Sequence, residues 1–342
     1  MKPLVYRTPF KSLTSFAFLI SFVLVFNISN AQYKKYSFTA QKMGSPFNLL
    51  FFSRDSMQAT LQADQSFRLI DSLNHIFSNY DSTSELSIIN RTAGIAPSSM
   101  SPLMFELVLL SQQAFIKSNR TFSISIGPLS LLWRQARLTK NFPSKMAIEK
   151  ARLLSNFNSI IIDSIKHTIY LPQKGMQLDF GGIAKGYIAQ RVIERLYQNG
   201  IQHALADAGG DIVMSEAPPT TRGWKVGINV IEKTNELLSQ PLLLQNICVA
   251  TSGDVYQYFE HNGAKYSHII NPATGYGITS LRNVTVIARS GAGADWLATA
   301  CSILPIKDAK KLALDNAAEL LITEKKGNKV LYHSTPGFKK FF

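Results

Sequence analysis

Asp179-Phe180-Gly181-Gly182-Ile183-Ala184-Lys185-Gly186-Tyr187 is the stretch on which the fold reading turns. An acid flanked by apolar residues leads into a glycine pair, and the pair opens a helix. Ile183, Tyr187, Ile188, Val192 and Leu196 keep to one face of that helix, and Gly200 closes it as a C-cap. Upstream, Gln32 to Ser53 reads as strand, turn and strand, with Met43-Gly44-Ser45-Pro46 as the turn. Met57 to Phe77 and Pro102 to Ser118 have helical spacing, Ser78 to Arg91 is polar and turn-rich, and Ala147 to Ser155 is a shorter helix. Ser159 to Asp163 and Thr168 to Leu171 read as a hairpin. Downstream, strands fall near 203–206, 211–214, 224–230, 247–250, 267–270 and 283–289, then a helix from Ala294 to Leu304, and two further elements close the chain. Strands and helices alternate without a regular βαβ period, so the class is α+β: one compact catalytic domain with mixed sheets and packed helices.

Composition supports a packed core. Of 342 residues, 46% are hydrophobic and 17% charged, which excludes a disordered chain. Two cysteines, Cys248 and Cys301, exclude a disulfide scaffold and a cysteine zinc site. They pair with each other or stay as two buried thiols; spacing does not decide. The net charge is +14, but no run of five Lys or Arg occurs and no basic stripe has interleaved aromatics, so a nucleic-acid role is disfavoured.

Lys2, Arg7 and Lys11 precede an apolar run from Phe16 to Phe26 that only Ser21 interrupts, and Ser29-Asn30-Ala31 follows. That order predicts a secretory signal peptide over residues 1–31, cleaved before Gln32, with 32–342 as the mature domain. The apolar core is short for a membrane span, and an uncleaved anchor is the other reading.

Four segments have the residue types for chemistry. In the quoted stretch, free N–H groups at a helix start and Lys185 suit an anion such as a diphosphate; a plain strand–turn–helix junction is the competing reading. It is not a P-loop, because Tyr187 stands where Lys would follow Gly186. In Ala294-Asp295-Trp296-Leu297-Ala298-Thr299, Asp295 and Thr299 share one helix face, hard-oxygen chemistry for Mg²⁺ or Ca²⁺, or else an acid that favours the helix dipole. His268, at the start of the strand predicted over 267–270 and before Asn271-Pro272-Ala273-Thr274-Gly275, is a base, a ligand or a structural histidine. Ala250-Thr251-Ser252-Gly253-Asp254 is a strand ending in a turn and lacks the glycine that a nucleophile elbow needs before its serine.

In this order and spacing the four segments resemble the FAD:protein FMN transferases, the ApbE family. Further matching pieces are Met43-Gly44-Ser45, Tyr80-Asp81-Ser82-Thr83-Ser84-Glu85-Leu86-Ser87, Ile126-Gly127-Pro128-Leu129 with Trp133, and Gly209-Gly210-Asp211. The resemblance covers nearly the whole mature chain. It implies an α+β fold that binds FAD beside Mg²⁺ and moves FMN to a Thr or Ser hydroxyl of a partner protein, releasing AMP. With the export pattern of residues 1–31, the expected location of this chain is exported and periplasmic, with peripheral membrane association as a further option, and its partner is an exported or membrane protein. Carried over by position, Asp295, Thr299 and the backbone carbonyl of Gly182 are the metal ligands. Met43, Tyr80, Asp81, Ser82, Ser123, Lys185 and Ile270 are FAD-contacting positions. His268 and Lys185 are the catalytic pair, His268 as the proton-transfer group. Two departures stand out: Ser123 and Asn271 occupy positions where the family has acids. They predict a protein that holds FAD and transfers FMN slowly. The alternatives are an FAD-binding protein and an FAD diphosphatase.

Overall fold

The structure is a computed structural model that describes residues 32–229, 238, 240–253, 258–327 and 329–342. The leader predicted over 1–31, and Asp254 of the fourth segment, lie outside the described residues.

Strands β1 (Lys34–Lys42) and β2 (Ser45–Ser53) form a hairpin whose turn is Met43-Gly44, with both residues at positive φ; Pro46 lies inside β2. Helix α1 (Ser56–Phe77) starts at Asp55, whose side chain accepts from the N–H of Met57 and Gln58. Then come α2 (Glu85–Arg91), β3 (Ser98–Ser99), α3 (Pro102–Lys117), α4 (Gly127–Thr139) and α5 (Lys145–Leu154). Strands β4 (Ile161–Asp163) and β5 (Thr168–Tyr170) are the predicted hairpin, and β5 also pairs with β3. Helix α6 (Ala184–Gln198) ends just before Gly200, which has φ 82°.

The second half holds β6 (Ala204–Ala208), β7 (Asp211–Met214), β8 (Trp224–Val226), β9 (Leu242–Leu244) and β10 (Ile247–Gly253). It continues with β11 (Tyr258–His261), β12 (Ala264–Ser267), β13 (Arg282–Ala288) and α7 (Gly291–Ile303). Three regular elements, not two, close the chain: α8 (Ile306–Asp315), β14 (Glu319–Lys326) and β15 (Lys329–Ser334), followed by a 3-10 turn over Pro336–Phe341.

Eight strands make one sheet in the order β1-β2-β6-β7-β10-β13-β14-β15. Every described pairing is antiparallel, so the mixing lies in the succession of helices and strands, not in strand direction. Side chains alternate across a strand, and here both faces are covered. Ala204, Ala206, Ala208, Cys248, Ala250, Val284, Val286, Leu320 and Ile322 face the helical layer with α1, α3, α6 and α7. Leu205, Val249, Ile287 and Leu321 face the opposite way, against Trp224, Val226, Leu242, Leu244 and Phe338. The three alanines of β6 leave room for α6 to lie close. A third cluster joins α4 and α5 to the β11–β12 hairpin through Leu129, Trp133, Ile148, Phe259 and Ile270.

Three local expectations are corrected. Gly127–Thr139 is a helix that no periodicity announced; Pro128 in its first turn is the start signal. Glu85–Arg91 is a short helix inside the turn-rich stretch, because Ser84 caps it by accepting from the Ser87 N–H. The strand expected over 267–270 does not form: β12 stops at Ser267, and Ile270 makes only an isolated bridge to Gly277. His268 therefore follows a strand end and does not begin one. Cys248 and Cys301 are free and buried. No helix among the described residues is long and apolar enough to cross a membrane.

Candidate active site

The site is built where the first turns of α6 and α7 cross. A Cβ on Gly186 would fall 2.1 Å from the Gly291 carbonyl oxygen and 2.9 Å from Asp295 Cβ, so two backbones meet where no side chain fits. Helix α6 has no side-chain cap of its own. Asp295 of α7 supplies one across the crossing: its Oδ2 accepts from the Gly186 N–H at 3.1 Å. Gln190 answers from α6, accepting from the Gly291 N–H at 2.8 Å. One turn further along α7, Thr299 packs on the glycine pair; a Cβ on Gly182 would fall 2.9 Å from its hydroxyl. The i, i+4 spacing of Asp295 and Thr299 thus brings a carboxylate and a hydroxyl to the Gly182–Gly186 segment.

Lys185 points to the start of β7, with Nζ 3.3 Å from Asp211 Oδ2. Asp211 follows the Gly209-Gly210 turn, whose φ values are 71° and 103°. Asp207 closes that turn, accepting from the Gly210 N–H at 2.8 Å and from Asn48 Nδ2 at 3.2 Å. A Cβ on Gly209 would lie 2.7 Å from Ser45 Oγ, so the β1–β2 turn carrying Met43 sits at the same corner.

Electrostatics follow from burial. Asp211 and Asp295 are 5% and 6% exposed. Burial pushes both carboxyls above the usual range, Asp295 further, since the ammonium lies beside Asp211 and Asp211 itself disfavours a second charge. Lys185 is pushed up, chiefly by Asp211 and then by Asp295 and Asp207. Three carboxyls lie around one ammonium, and a cation bound beside them would favour the charged form that burial opposes. No cluster of three or more His, Cys, Asp or Glu suited to a metal occurs among the described residues. A cation here would draw on Asp295, the Thr299 hydroxyl and the Gly182 carbonyl, with water or a phosphate for the rest. That all-oxygen set fits Mg²⁺, which commonly takes few protein ligands.

The other expected residues fall into two groups. Ser123 lies close by: Asp179 donates its N–H to the Ile124 carbonyl at 2.7 Å, and the Phe122 ring packs near Gly182. The Ser123 hydroxyl is buried and caps the turn at 124–126, accepting from the Ser125 N–H at 3.2 Å. Tyr80 is exposed, with the Arg134 guanidinium 4.0 Å from its ring centroid. Arg134 also lies 4.0 Å from Asp179, which accepts from the Gly181 N–H at 2.8 Å, so the 80–82 loop reaches the glycine pair through α4. Asp81 is held down to about 2 by the Thr83 hydroxyl and N–H and by His75. Ser82 gives its carbonyl to Arg91 at 2.5 Å.

His268, exposed, and Ile270, buried, lie on the segment after β12. Trp133 ties that segment to α4, donating its indole N–H to the Gly275 carbonyl at 2.8 Å. The residues that sequence reasoning passed over are Asp207, Asp211 and Arg134. Gly209-Gly210-Asp211 was visible as a motif, but its charge shows a purpose only when Lys185 stands beside it.

The sequence model of the ApbE family matches residues 43–322. An FAD:protein FMN transferase of Klebsiella pneumoniae is 32% identical over 261 residues, 76% of this chain and 79% of that protein. One of Treponema pallidum is 28% identical over 289 residues, 80% of each. The crystal structure of Pseudomonas stutzeri flavinyl transferase ApbE, apo form, superposes with a TM-score of 0.81 at 28% identity, covering 91% of this chain and 98% of that one. The fold is thus one already solved for a flavinyl transferase. The chain belongs to the ApbE family.

Proposed function

We infer that this chain is an FAD:protein FMN transferase that moves FMN from FAD to a Thr or Ser hydroxyl of a partner protein. The observation that carries this reading is the α6–α7 corner, where Lys185, the α6 N–H groups and Asp295 meet. Phosphoanhydride transfer needs an aligned nucleophile, a leaving group and relief of phosphate charge. The Lys185 ammonium receives the diphosphate; the N–H groups at the α6 start are not the free donors expected from the sequence, because the Phe180 carbonyl takes those of Ile183 and Ala184 and Asp295 takes that of Gly186. The acceptor hydroxyl oxygen forms a bond to the FMN phosphorus while the bond to the AMP oxygen breaks, and His268 takes the hydroxyl proton. Asp295, Thr299 and the Gly182 carbonyl hold Mg²⁺, which when bound neutralises phosphate charge. Met43, Tyr80, Asp81, Ser82, Ser123 and Ile270 line the route for FAD.

The export pattern of residues 1–31 supports a partner outside the cytoplasm, in the periplasm or at a membrane surface. Mass spectrometry of the native protein should find Gln32 as the first residue.

The decisive experiment is incubation with FAD, Mg²⁺ and exported proteins of the same cell, read by flavin fluorescence on a denaturing gel. Flavin bound covalently to a partner supports the reading. Free FMN plus AMP identifies a diphosphatase, and unchanged FAD a binder; either result overturns it.

A further inference from the structure

This inference rests on the reading of Asp295 as a cation ligand. Lys185 lies 3.3 Å from the buried Asp211 carboxyl, and both this carboxyl and that of Asp295, which caps the same helix, raise its affinity for a proton. Its one ion-pair partner among the described residues is Asp211, at 3.3 Å. Asp295, meanwhile, is engaged with the N–H of Gly186, the very next residue. A lysine has a flexible stem and a compact charge, so beside two acids it settles on the one that is nearer and better held.

Asp211 is well held. It is the first residue of β7 and sits opposite Ala250 on β10. The Gly209-Gly210 turn before it is closed by Asp207, and Asp207 is fixed to β2 by Asn48. The Gly210 carbonyl accepts from the Thr251 N–H at 3.3 Å. Three strands therefore fix the backbone that carries this carboxylate, and its Oδ2 lies 3.3 Å from the ammonium.

We propose that Asp211 is a positioning residue: it tethers the Lys185 ammonium and keeps it off Asp295, leaving that carboxylate for a divalent cation. An ammonium has the sign of the cation that Asp295 would bind. Released from Asp211, it takes Asp295 as its partner and competes for the same oxygens. The consequence is specific. Asp211 acts on cation binding through Lys185, so its influence disappears when Lys185 has no charge.

The test is divalent-ion binding without FAD, with Mn²⁺ as the probe and electron paramagnetic resonance as the readout. The proteins are wild type, Asp295→Ala, Asp211→Asn, Lys185→Gln and the double variant Asp211→Asn/Lys185→Gln. Groups that orient metal ligands affect affinity by about 10–100-fold, so Asp211→Asn should weaken Mn²⁺ binding about tenfold. In the Lys185→Gln background the same change should alter affinity less than about twofold. An equal loss in both backgrounds overturns the tether, since Asp211 would then act only as a nearby charge. No loss in Asp211→Asn also overturns it. If the single variant does not fold, Lys185→Gln alone is compared with the double variant, which removes both charges of the pair; a weaker double variant overturns the proposal. Wild type and Asp295→Ala binding Mn²⁺ alike would defeat the cation reading and the tether with it. Loss in Asp295→Ala with no effect of Asp211→Asn defeats the tether alone.

Discussion

Gly186 is a position where one atom decides the outcome. An added Cβ would meet the Gly291 carbonyl at 2.1 Å, and that carbonyl belongs to a helix backbone that cannot swing aside. Overpacking of this kind typically costs about 1–3 kcal/mol, and more where backbone must move. Gly186→Ala should therefore lower stability by about 3 kcal/mol and separate Asp295 from its N–H partner. Denaturant titration checks this, and a wild-type midpoint contradicts it. Asp81 makes a different kind of local prediction. Its carboxylate is drawn to about 2 from 3.8, first by the Thr83 hydroxyl, then by the Thr83 N–H and His75. A folded value below the unfolded one stabilises the turn above about pH 4 and loses that contribution as pH falls through about 2. An NMR titration should place the Asp81 transition near 2 and show the Thr83 amide following it. A transition near 3.8 would mean that these hydrogen bonds do not persist in solution.

At the scale of elements, Asn271 and Ser123 each hold a turn. Asn271 Oδ1 accepts from the Ala273 N–H at 2.9 Å, and the Asn271 backbone carbonyl accepts from Gly275 at 2.8 Å. Ser123 likewise caps a turn with its hydroxyl. Each neutral side chain does an acceptor's work for the backbone, and an acid could do the same. Asn271→Asp should leave stability near wild type, whereas Asn271→Ala should lose about 1 kcal/mol; thermal denaturation of the two variants separates them. How far sequence reveals such elements depends on local signal. Helix α6 was legible because Ile183, Tyr187, Ile188, Val192 and Leu196 repeat at helical spacing and Gly200 follows. Helix α4 was not, since its buried face is thin (Leu129, Trp133, Ala136) and its outer face carries Leu131 and Leu138 in solvent. The same contrast holds in the site. Asp295 and Thr299 lie on one helix and announce each other by spacing. Lys185 and Asp211 come from different elements, and only the sheet brings them together.

At the scale of the whole molecule, Trp133 is the bolt between the helical subdomain around α4 and the loop carrying His268 and Ile270. Its ring is fully buried, stacks with Tyr266 at 5.5 Å between centroids, and its N–H holds the Gly275 carbonyl. Trp133→Phe keeps an aromatic ring and leaves that carbonyl unpaired, a cost of about 1–3 kcal/mol. Hydrogen exchange should quicken across 271–276 and stay unchanged around Asp295. Equal acceleration in both regions would mean that the variant loosens the entire domain.

The hydrogen bond from Gly186 to Asp295 spans 109 residues of chain. Contacts of such separation require large loops to close, and they are slow to form. An early folding intermediate with α6 and α7 already wound would still lack the corner between them. The corner should therefore form late in folding, and a nascent or proteolytically shortened chain ending before α7 lacks Asp295 and Thr299 altogether.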